Sequence, residues 1–501
     1  MKVNNNQYIN FITSYYFPIS LICIVIIINI YMFHSEYLFY EEAQTFFTSQ
    51  GIDVSSKFFT PPGDVFDVIA NNNKYNMDPG GFNILLHLWQ KLSLNILWIR
   101  LLPIFFFLSF LYFFGKVFYK IFGDIKFSLY VCLIPLFLPM LAPISVRLRA
   151  YSMEALGVVL SVFFLIKLYK NISIKNLLCY SIILSILISS RYSLLLLVFI
   201  QTNFVIYKII TNKSKFKNKI FQLLAYSIPL IFSVSLIFFF TLINQNPSLN
   251  HGHAYMPFLG SDPLSLFKGI NLFYSFILIT IFYFYYHMRL KINENFKILL
   301  IFTLISNTFF ILLSLINIHP WSIHAPTRLN VVFILTLLSI ICLFYYFTKE
   351  YIYNISLTKF SNYFSLLGVF TIIIYFLILD NKMESNWRRN NIISELKKMD
   401  QDSRLDFYNN FFIIDPVTYG VIKYIFESDI INNERSLNFN HFKNFHLSRY
   451  LYKTKKKLNI NKRDFKYYVS NVEAPPGKFI PSMSIKIKNF PGYKYLYEIV
   501  N

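Results

Sequence analysis

Long apolar segments recur along most of this chain and constrain its fold more than any other feature of the sequence. The hydrocarbon layer of a bilayer is about 30 Å thick, and a helix needs about 20 apolar residues to cross it. We count about eleven segments that could cross the bilayer, of which the fifth and sixth are short. They lie at roughly 13–33, 98–115, 127–144, 150–168, 176–190, 192–208, 220–243, 270–287, 297–317, 327–347 and 361–380. The sequence therefore predicts an all-α polytopic membrane protein, in which 176–190 and 192–208 could also form one long helix.

The charge content favours a membrane protein and excludes a soluble enzyme or a disordered chain. Charged residues make up 14% of the chain, whereas about 25% is typical of a soluble globular protein. The formal net charge of +22 would suggest nucleic acid as the partner of a soluble protein. In a membrane protein the same excess arises because lysine and arginine accumulate in cytoplasmic loops. We therefore predict membrane lipids, and no nucleic acid, as partners.

Basic residues concentrate in alternate connections between the apolar segments. The connections rich in lysine and arginine are 115–126, 167–175, 208–219, 287–297 and 349–359. The long loop at 34–97 is instead rich in aspartate and glutamate. Because short basic loops face the cytoplasm, we predict a multi-pass protein of the cell's inner or plasma membrane. Its N-terminus would be cytoplasmic, its first segment a retained anchor, and both loop 34–97 and the C-terminal tail external.

The character of the chain changes at about residue 381. Residues 1–380 contain the apolar segments and the long external loop, and we predict that they form one transmembrane domain. Residues 381–501 have shorter apolar runs and scattered charges. Within them, 411–417 is typical of a strand and 418–427 of a short helix. The sequence therefore predicts a small external α+β domain at 381–501.

The external loop 34–97 is too long for a simple connection, and long structured loops tend to be functional. It carries two adjacent carboxylates, Glu41 and Glu42, soon after the first apolar segment. A carboxylate that is partly desolvated at a membrane surface can serve as a general base. The alternative is that both acids are simply hydrated at a helix end.

A tight turn and a short amphipathic helix follow later in the same loop. The sequence Asp78-Pro79-Gly80-Gly81 predicts the turn. The apolar pattern after it predicts a helix over 82–91 that lies at the membrane interface without crossing the bilayer. We expect His87 on the water-facing side of that helix.

Two arginines oppose the charge trend in the connection before the fourth apolar segment. Arg147 and Arg149 lie on the predicted external side, and arginine suits planar, bidentate binding of phosphate. Glu154 follows inside the segment, where a carboxylate is costly and indicates a functional site by default. The alternative is an ion pair between Arg149 and Glu154 that only holds helices together.

Histidines give weaker signals. His324, with His319 and Trp321, lies at the outer mouth of the tenth segment and could line a substrate cavity or belong to an interfacial belt. His251 and His253 have no third ligand nearby in the sequence, and each cysteine lies inside an apolar run. We therefore predict no disulfide, and no metal site at these histidines and cysteines.

Four short motifs occur in an order that is typical of a known family. In chain order they are Glu41-Glu42, Asp78-Pro79-Gly80, Arg100-Leu101-Leu102-Pro103 and Arg149-Ala150-Tyr151. Together they resemble the GT-C glycosyltransferases, and the chain is similar to the protein O-mannosyltransferases and the aminoarabinose transferases. The resemblance covers roughly residues 36–170. Further along, Ala325-Pro326-Thr327-Arg328 resembles the start of a late span in the family.

The resemblance implies roles for individual residues. The family's catalytic acid pair falls on Glu41 and Glu42. Three arginines would bind the donor phosphate, namely Arg147, Arg149 and Arg328. Four further residues would line the substrate cavity, namely Asp78, Tyr151, Glu154 and His324.

The sequence also departs from the family pattern. Glu41 stands where the family has aspartate, and Asp78 and Gly80 stand where it has histidine and proline. Arg147 stands where an acid is frequent, and Arg328 is followed by leucine instead of tyrosine. The resemblance therefore names no certain cofactor and leaves a divalent cation open.

The activity implied by the resemblance is that of an inverting glycosyltransferase on the external face of the membrane. Its donor would be a sugar on a polyprenyl phosphate, and its acceptor a hydroxyl of a lipid, a glycan or a protein. The carboxylate of Glu41 or Glu42 would deprotonate the acceptor, whose oxygen would attack the anomeric carbon through an oxocarbenium-like transition state. Arg149 would stabilise charge on the leaving phosphate.

Two other functions stay open as alternatives. A transporter or flippase would move a lipid-linked or small polar substrate without chemistry, but such folds are usually built from internal repeats, and we find no repeat in the sequence. A sugar polymerase or ligase of another membrane type would be expected to carry its large external loop late among the segments. Here the long loop follows the first segment.

Overall fold

The chain divides into two compact units. One consists of Met1–His34 with Asn72–Ile372, and the other of Ser35–Asn71 with Ile373–Asn501. The computed structural model describes residues 18–28, 40–54, 60–76, 78–138, 141–245, 293–315 and 330–351, a few single positions, and four short strands between 411 and 498.

Helices dominate the described residues. In chain order they are α1 (Pro18–Ile28), α2 (Tyr40–Ser49), α3 (Val65–Tyr75), α4 (Gly81–Gln90), α5 (Ile96–Phe122), α6 (Ile125–Val131), α7 (Leu133–Phe137), α8 (Tyr151–Lys170), α9 (Ile174–Leu187), α10 (Tyr192–Thr211), α11 (Phe216–Leu236), α12 (Glu294–Leu315) and α13 (Asn330–Tyr351). A 3-10 turn at Ala142–Ser145 precedes α8, and α11 continues as a π-helix over Ile237–Leu242.

Four of the described helices are long and apolar enough to cross a membrane, namely α5, α8, α10 and α11 with its π-helical extension. The protein is therefore a mostly helical membrane protein. The total of about eleven spans stays a prediction, and the segments at 270–287 and 361–380 lie outside the described residues. The structure separates α9 from α10, so the alternative of one long helix there is wrong.

Helix α8 lies at the centre of the described bundle. Of its apolar window, 89% is buried inside the protein, against 39% for both α5 and α10. Gly157 allows α10 to approach closely, because a Cβ at this position would lie 2.2 Å from Leu194 Cδ2. As a result, the residues at the start of α8 are carried into the interior of the first unit.

The outer face of α5 is apolar. Five large side chains are exposed along it, at Leu97, Leu101, Phe105, Leu108 and Tyr112. Their spacing of three and four residues places them on one side of the helix. Such a stripe would be a liability in water, whereas in a bilayer it contacts lipid tails.

At its C-terminal end, α5 is held by two asparagines that precede or begin α12. Asn295 Nδ2 donates to Lys120 O at 2.6 Å, and Asn293 Nδ2 donates to Ile121 O. The last carbonyls of a helix have no partner within the helix, and these amides satisfy two of them. We call this pair of hydrogen bonds the asparagine contact. It joins two connections that the charge pattern predicts on the same side of the membrane, while the orientation itself stays a prediction.

The second unit contains α2 and a small sheet. The strands β1 (Phe411–Ile413), β2 (Tyr467–Ser470), β3 (Met483–Ile485) and β4 (Tyr495–Glu498) pair in the order β1-β2-β4-β3. The β1–β2 pair is parallel and the other two pairs are antiparallel. Phe46 of α2 packs edge-to-face on Tyr424, with ring centroids 5.1 Å apart. Strand β1 lies within the predicted strand at 411–417. The separate domain at 381–501 stays a prediction, because most of that region lies outside the described residues.

Candidate functional site

The turn predicted at Asp78 is present, and two glycines shape it. Gly80 has a φ of 87°, a conformation that glycine adopts without strain. Gly81 donates its backbone N–H to Ser189 O at 2.9 Å, and a Cβ at Gly81 would lie 1.9 Å from Ser189 Oγ. Glycine therefore lets the turn pack directly on the connection between α9 and α10, which carries Arg191.

Asp78 lies between two arginines from distant parts of the chain. Arg191 Nε donates to Asp78 Oδ1 at 3.2 Å, across 113 residues of sequence. Arg149 Nη2 lies 4.0 Å from Asp78 Oδ2, and Arg149 Nη1 donates to Asn76 Oδ1 at 3.4 Å. One carboxylate is thus shared by two guanidinium groups.

Glu154 is fully buried in α8 and is held on both of its oxygens. Arg191 Nη1 donates to Glu154 Oε2 at 3.2 Å, and Ser193 Oγ donates to Glu154 Oε1. A carboxylate inside a membrane-spanning helix requires such partners. Glu154 therefore takes part in an ion pair, with a partner that the sequence did not single out.

The aromatic ring of Tyr151 lies beside both arginines. The ring centroid is 5.8 Å from Arg149 Cζ and 5.0 Å from Arg191 Cζ, within the range of cation–π attraction. Tyr151 is itself buried at the start of α8. We call the group formed here the Asp78 cluster: Asp78, Arg149, Tyr151, Glu154, Arg191 and Ser193.

Arg147 adds a positive charge close to the cluster. It is half-buried and forms no ion pair with any residue that the structure describes. Its carbonyl accepts the backbone N–H of Arg149 at 2.8 Å. The preceding carbonyl, of Val146, accepts a hydrogen bond from buried Arg100 Nη1 at 2.6 Å. Arg100 thus ties the turn that carries Arg147 and Arg149 to the start of α5.

Within the six residues of the Asp78 cluster, two carboxylates balance two guanidinium groups, and Arg147 adds one further positive charge. The side chains of Arg149 and Asp78 are 15% and 20% exposed, whereas Glu154 is fully buried. Guanidinium groups bind phosphate in a bidentate manner. This arrangement is suited to bind an anion through Arg149 and Arg147 while Arg191 stays paired with the two carboxylates.

Glu41 and Glu42 lie in the second unit, in the first turn of α2. Negative side chains are favourable there because the N-terminus of a helix carries a partial positive charge. Glu42 is only 5% exposed, so the alternative of a freely hydrated acid is wrong for this residue. That the two glutamates join the Asp78 cluster stays a prediction.

Other predicted site residues have mixed outcomes. His324 and Arg328 lie outside the described residues. His87 is 4% exposed and belongs to the buried face of α4, so the prediction that it faces water is wrong. Leu88 is 52% exposed, which means that α4 turns an apolar side chain outward. Within the described ranges, no three His, Cys, Asp or Glu side chains form a group that could hold a metal ion.

Sequence reasoning missed Arg191 and Ser193, although the sequence carried a signal for Arg191. Ser189, Ser190 and Arg191 form a short polar break between two apolar segments, and the break lies on the predicted external side. Arg191 opposes the charge trend there in the same way as Arg147 and Arg149. The rule that singled out those two residues would also have found it.

No protein-family model matches this chain, and no curated protein sequence matches it at a significant level. The geometry of the Asp78 cluster and the resemblance of the short motifs are therefore the two observations that bear on function.

Proposed function

We propose that this protein is an inverting glycosyltransferase of the GT-C type, which transfers a sugar from a polyprenyl-phosphate donor to an acceptor hydroxyl on the external face of the membrane. One observation carries the proposal. Asp78 and Arg149, which the resemblance assigns to one site, meet in one cluster at the ends of membrane-spanning helices. A cluster of this kind, at the boundary of an apolar bundle, suits a substrate with a charged head and a lipid tail.

The donor phosphate would bind to Arg149. Its contact with Asp78 is 4.0 Å long, whereas that of Arg191 with the same carboxylate is 3.2 Å. The longer contact is the weaker one, so a phosphate can replace it at the smaller cost. Arg147 would add a second positive group, and Arg328 a third from outside the described residues. The prenyl chain would lie against lipid-facing apolar surface.

Each role in the chemistry then falls to a group of known type. The carboxylate of Glu41 or Glu42 takes the proton of the acceptor hydroxyl. The acceptor oxygen forms a bond to the anomeric carbon from the face opposite the phosphate, and the bond from that carbon to the phosphate oxygen breaks. The polyprenyl phosphate leaves with the bonding electrons, and Arg149 stabilises its developing charge.

A deletion strain tests the proposal whichever sugar the protein transfers. An unused polyprenyl-phosphate sugar accumulates when its transferase is missing, and mass spectrometry of the membrane lipids detects it. Wild-type protein returned to the deletion strain should remove the accumulated lipid. The double variant Glu41→Gln, Glu42→Gln should leave the lipid at the level of the deletion strain. Glu294→Gln serves as a control, because Glu294 also lies in the first turn of a helix. Full clearance by the double variant would overturn the assigned base.

A transporter or flippase is the alternative, because buried ionisable residues in spans also line substrate pathways. Purified protein in lipid vesicles separates the two activities. A transferase given donor and membrane extract as acceptor releases free polyprenyl phosphate. A flippase moves the intact lipid-linked sugar across the bilayer and releases none, and that result would replace the proposal.

A further inference from the structure

The end of α11 departs from regular helix geometry next to the Asp78 turn. Residues Ile237–Leu242 form a π-helix, and Ile243 N–H donates to Phe238 O at 3.1 Å, five residues back. Turns of this kind are rare and are frequently found at functional sites. Here the π-helix brings the residues that follow it against the chain on both sides of Asp78.

Three hydrogen bonds join this helix end to the Asp78 region, and each crosses more than 160 residues of sequence. Asn73 Nδ2 donates to Phe240 O at 2.7 Å. Thr241 Oγ1 donates to Pro79 O at 3.1 Å. Gln245 Nε2 donates to Asn76 O at 2.8 Å. The end of α11 is therefore hydrogen-bonded to the chain on both sides of Asp78.

These bonds act on groups that touch the arginines. Asn76, whose carbonyl accepts from Gln245, offers its side-chain oxygen to Arg149. Pro79, whose carbonyl accepts from Thr241, directly follows Asp78. Thr241 and Gln245 are both buried, where a hydrogen bond is stronger than in water and its loss is costlier. A shift of the helix end would move both Asp78 and the partner of Arg149.

We propose that Thr241 and Gln245 are positioning residues, which act through Pro79 and Asn76 to fix Asp78 and Arg149 in the geometry that receives the donor phosphate. The inference rests on the proposed function. Neither residue touches the phosphate. Each instead donates to a backbone carbonyl in the turn between the end of α3 and the start of α4.

Thr241→Val and Gln245→Leu test this assignment. The probe is a polyprenyl monophosphate added to purified full-length protein in nanodiscs, with the matching polyprenol, which lacks phosphate, as reference. We expect each variant to bind the phosphate probe about three- to tenfold more weakly, with unchanged binding of the polyprenol. Thr241→Ser keeps the hydroxyl and should bind as wild type does.

Asn244→Leu is the matched control. Asn244 lies on the same helix end, but its side chain donates to Phe239 O and Phe240 O within that end. We expect it to leave phosphate binding unchanged. If Asn244→Leu weakens binding as much as Gln245→Leu does, a general loosening of the helix end explains both, and the positioning role is overturned.

A double variant distinguishes positioning from simple stabilisation. Gln245→Leu should have little further effect on phosphate binding once Arg149→Gln is present, because it acts through Arg149. Additive losses would overturn this route. If wild-type protein binds both probes equally, the proposed function and the inference fail together. If wild type prefers the phosphate and both Thr241→Val and Gln245→Leu bind it equally well, only the inference fails.

Discussion

The asparagine contact and the Asp78 cluster both hold together helices that are distant in the sequence, but by different means. In the asparagine contact, neutral amides of Asn293 and Asn295 donate to the last carbonyls of α5. In the Asp78 cluster, two carboxylates and two guanidinium groups meet beside an aromatic ring. Neutral hydrogen bonds are therefore sufficient to join helices in this protein. Because burying charge is costly, the charged cluster calls for an explanation beyond helix packing.

The largest effect is expected when the buried ion pair is broken. Arg191→Leu removes the guanidinium partner of fully buried Glu154, and breaking a buried pair on one side costs about 3–5 kcal/mol. We expect a marked fall in the melting temperature of the purified protein in detergent. Arg191→Leu combined with Glu154→Gln should recover part of the loss, since the fully buried side chain of residue 154 then carries no charge. A melting temperature that stays at the wild-type value would show that the pair contributes no more than the asparagine contact.

The next effect separates activity from stability within the cluster. Arg149→Gln removes the guanidinium proposed to bind the donor phosphate, so we expect sugar transfer to fall by about 10²–10³-fold. The free energy of unfolding should fall by less than about 1 kcal/mol, as for a partly exposed pair. Lys120→Gln removes an exposed positive charge beside the asparagine contact and should change neither quantity. If Arg149→Gln transfers sugar at the wild-type rate, the Asp78 cluster has no role in activity that the asparagine contact lacks.

A smaller effect is expected from a change in shape without a change in charge. Gly81→Ala places a Cβ against Ser189, and overpacking of this kind costs about 1–3 kcal/mol. The turn must shift to relieve the contact, so sugar transfer should fall together with thermal stability. Adding Ser189→Gly removes the side-chain atoms in the way and should restore part of both. Unchanged transfer in Gly81→Ala would mean that the site tolerates movement of Asp78.

The smallest effect is expected at the asparagine contact. Asn295→Leu removes one hydrogen bond to Lys120 O, which is worth about 1 kcal/mol. We expect a slight fall in melting temperature and unchanged sugar transfer. If Asn295→Leu lowers sugar transfer as much as Arg149→Gln does, the asparagine contact also supports activity. The proposed difference between it and the Asp78 cluster would then be wrong.

Local features of the site could be predicted from the sequence, whereas its long-range pairing could not. The turn at Asp78 follows from proline and glycine chemistry, and the start of α8 follows from its apolar run. The pairing of Glu154 with Arg191 depends on how α8 packs on α10. The close approach of the two helices at Gly157 cannot be seen in the local hydrophobic pattern of either helix. The π-helix at the end of α11 likewise serves contacts with a turn more than 160 residues away.

The error at His87 has a different cause. An amphipathic pattern gives the two faces of a helix but not their surroundings. The pattern predicts an interfacial helix whose polar residues face water. In the structure α4 instead packs His87 against the protein and turns Leu88 outward.

The pairing of Glu154 with Arg191 also bears on how the chain is made. Arg191 follows Glu154 by 37 residues, which a ribosome adds in about 2–7 s at 5–20 residues per second. During that interval the first turn of α8 carries a carboxyl group whose guanidinium partner Arg191 has not yet been made. Because Glu154 lies at the end of the helix, its carboxyl group can stay beside water until α10 emerges. We therefore expect α8, α9 and α10 to complete their packing only after Arg191 has been synthesised.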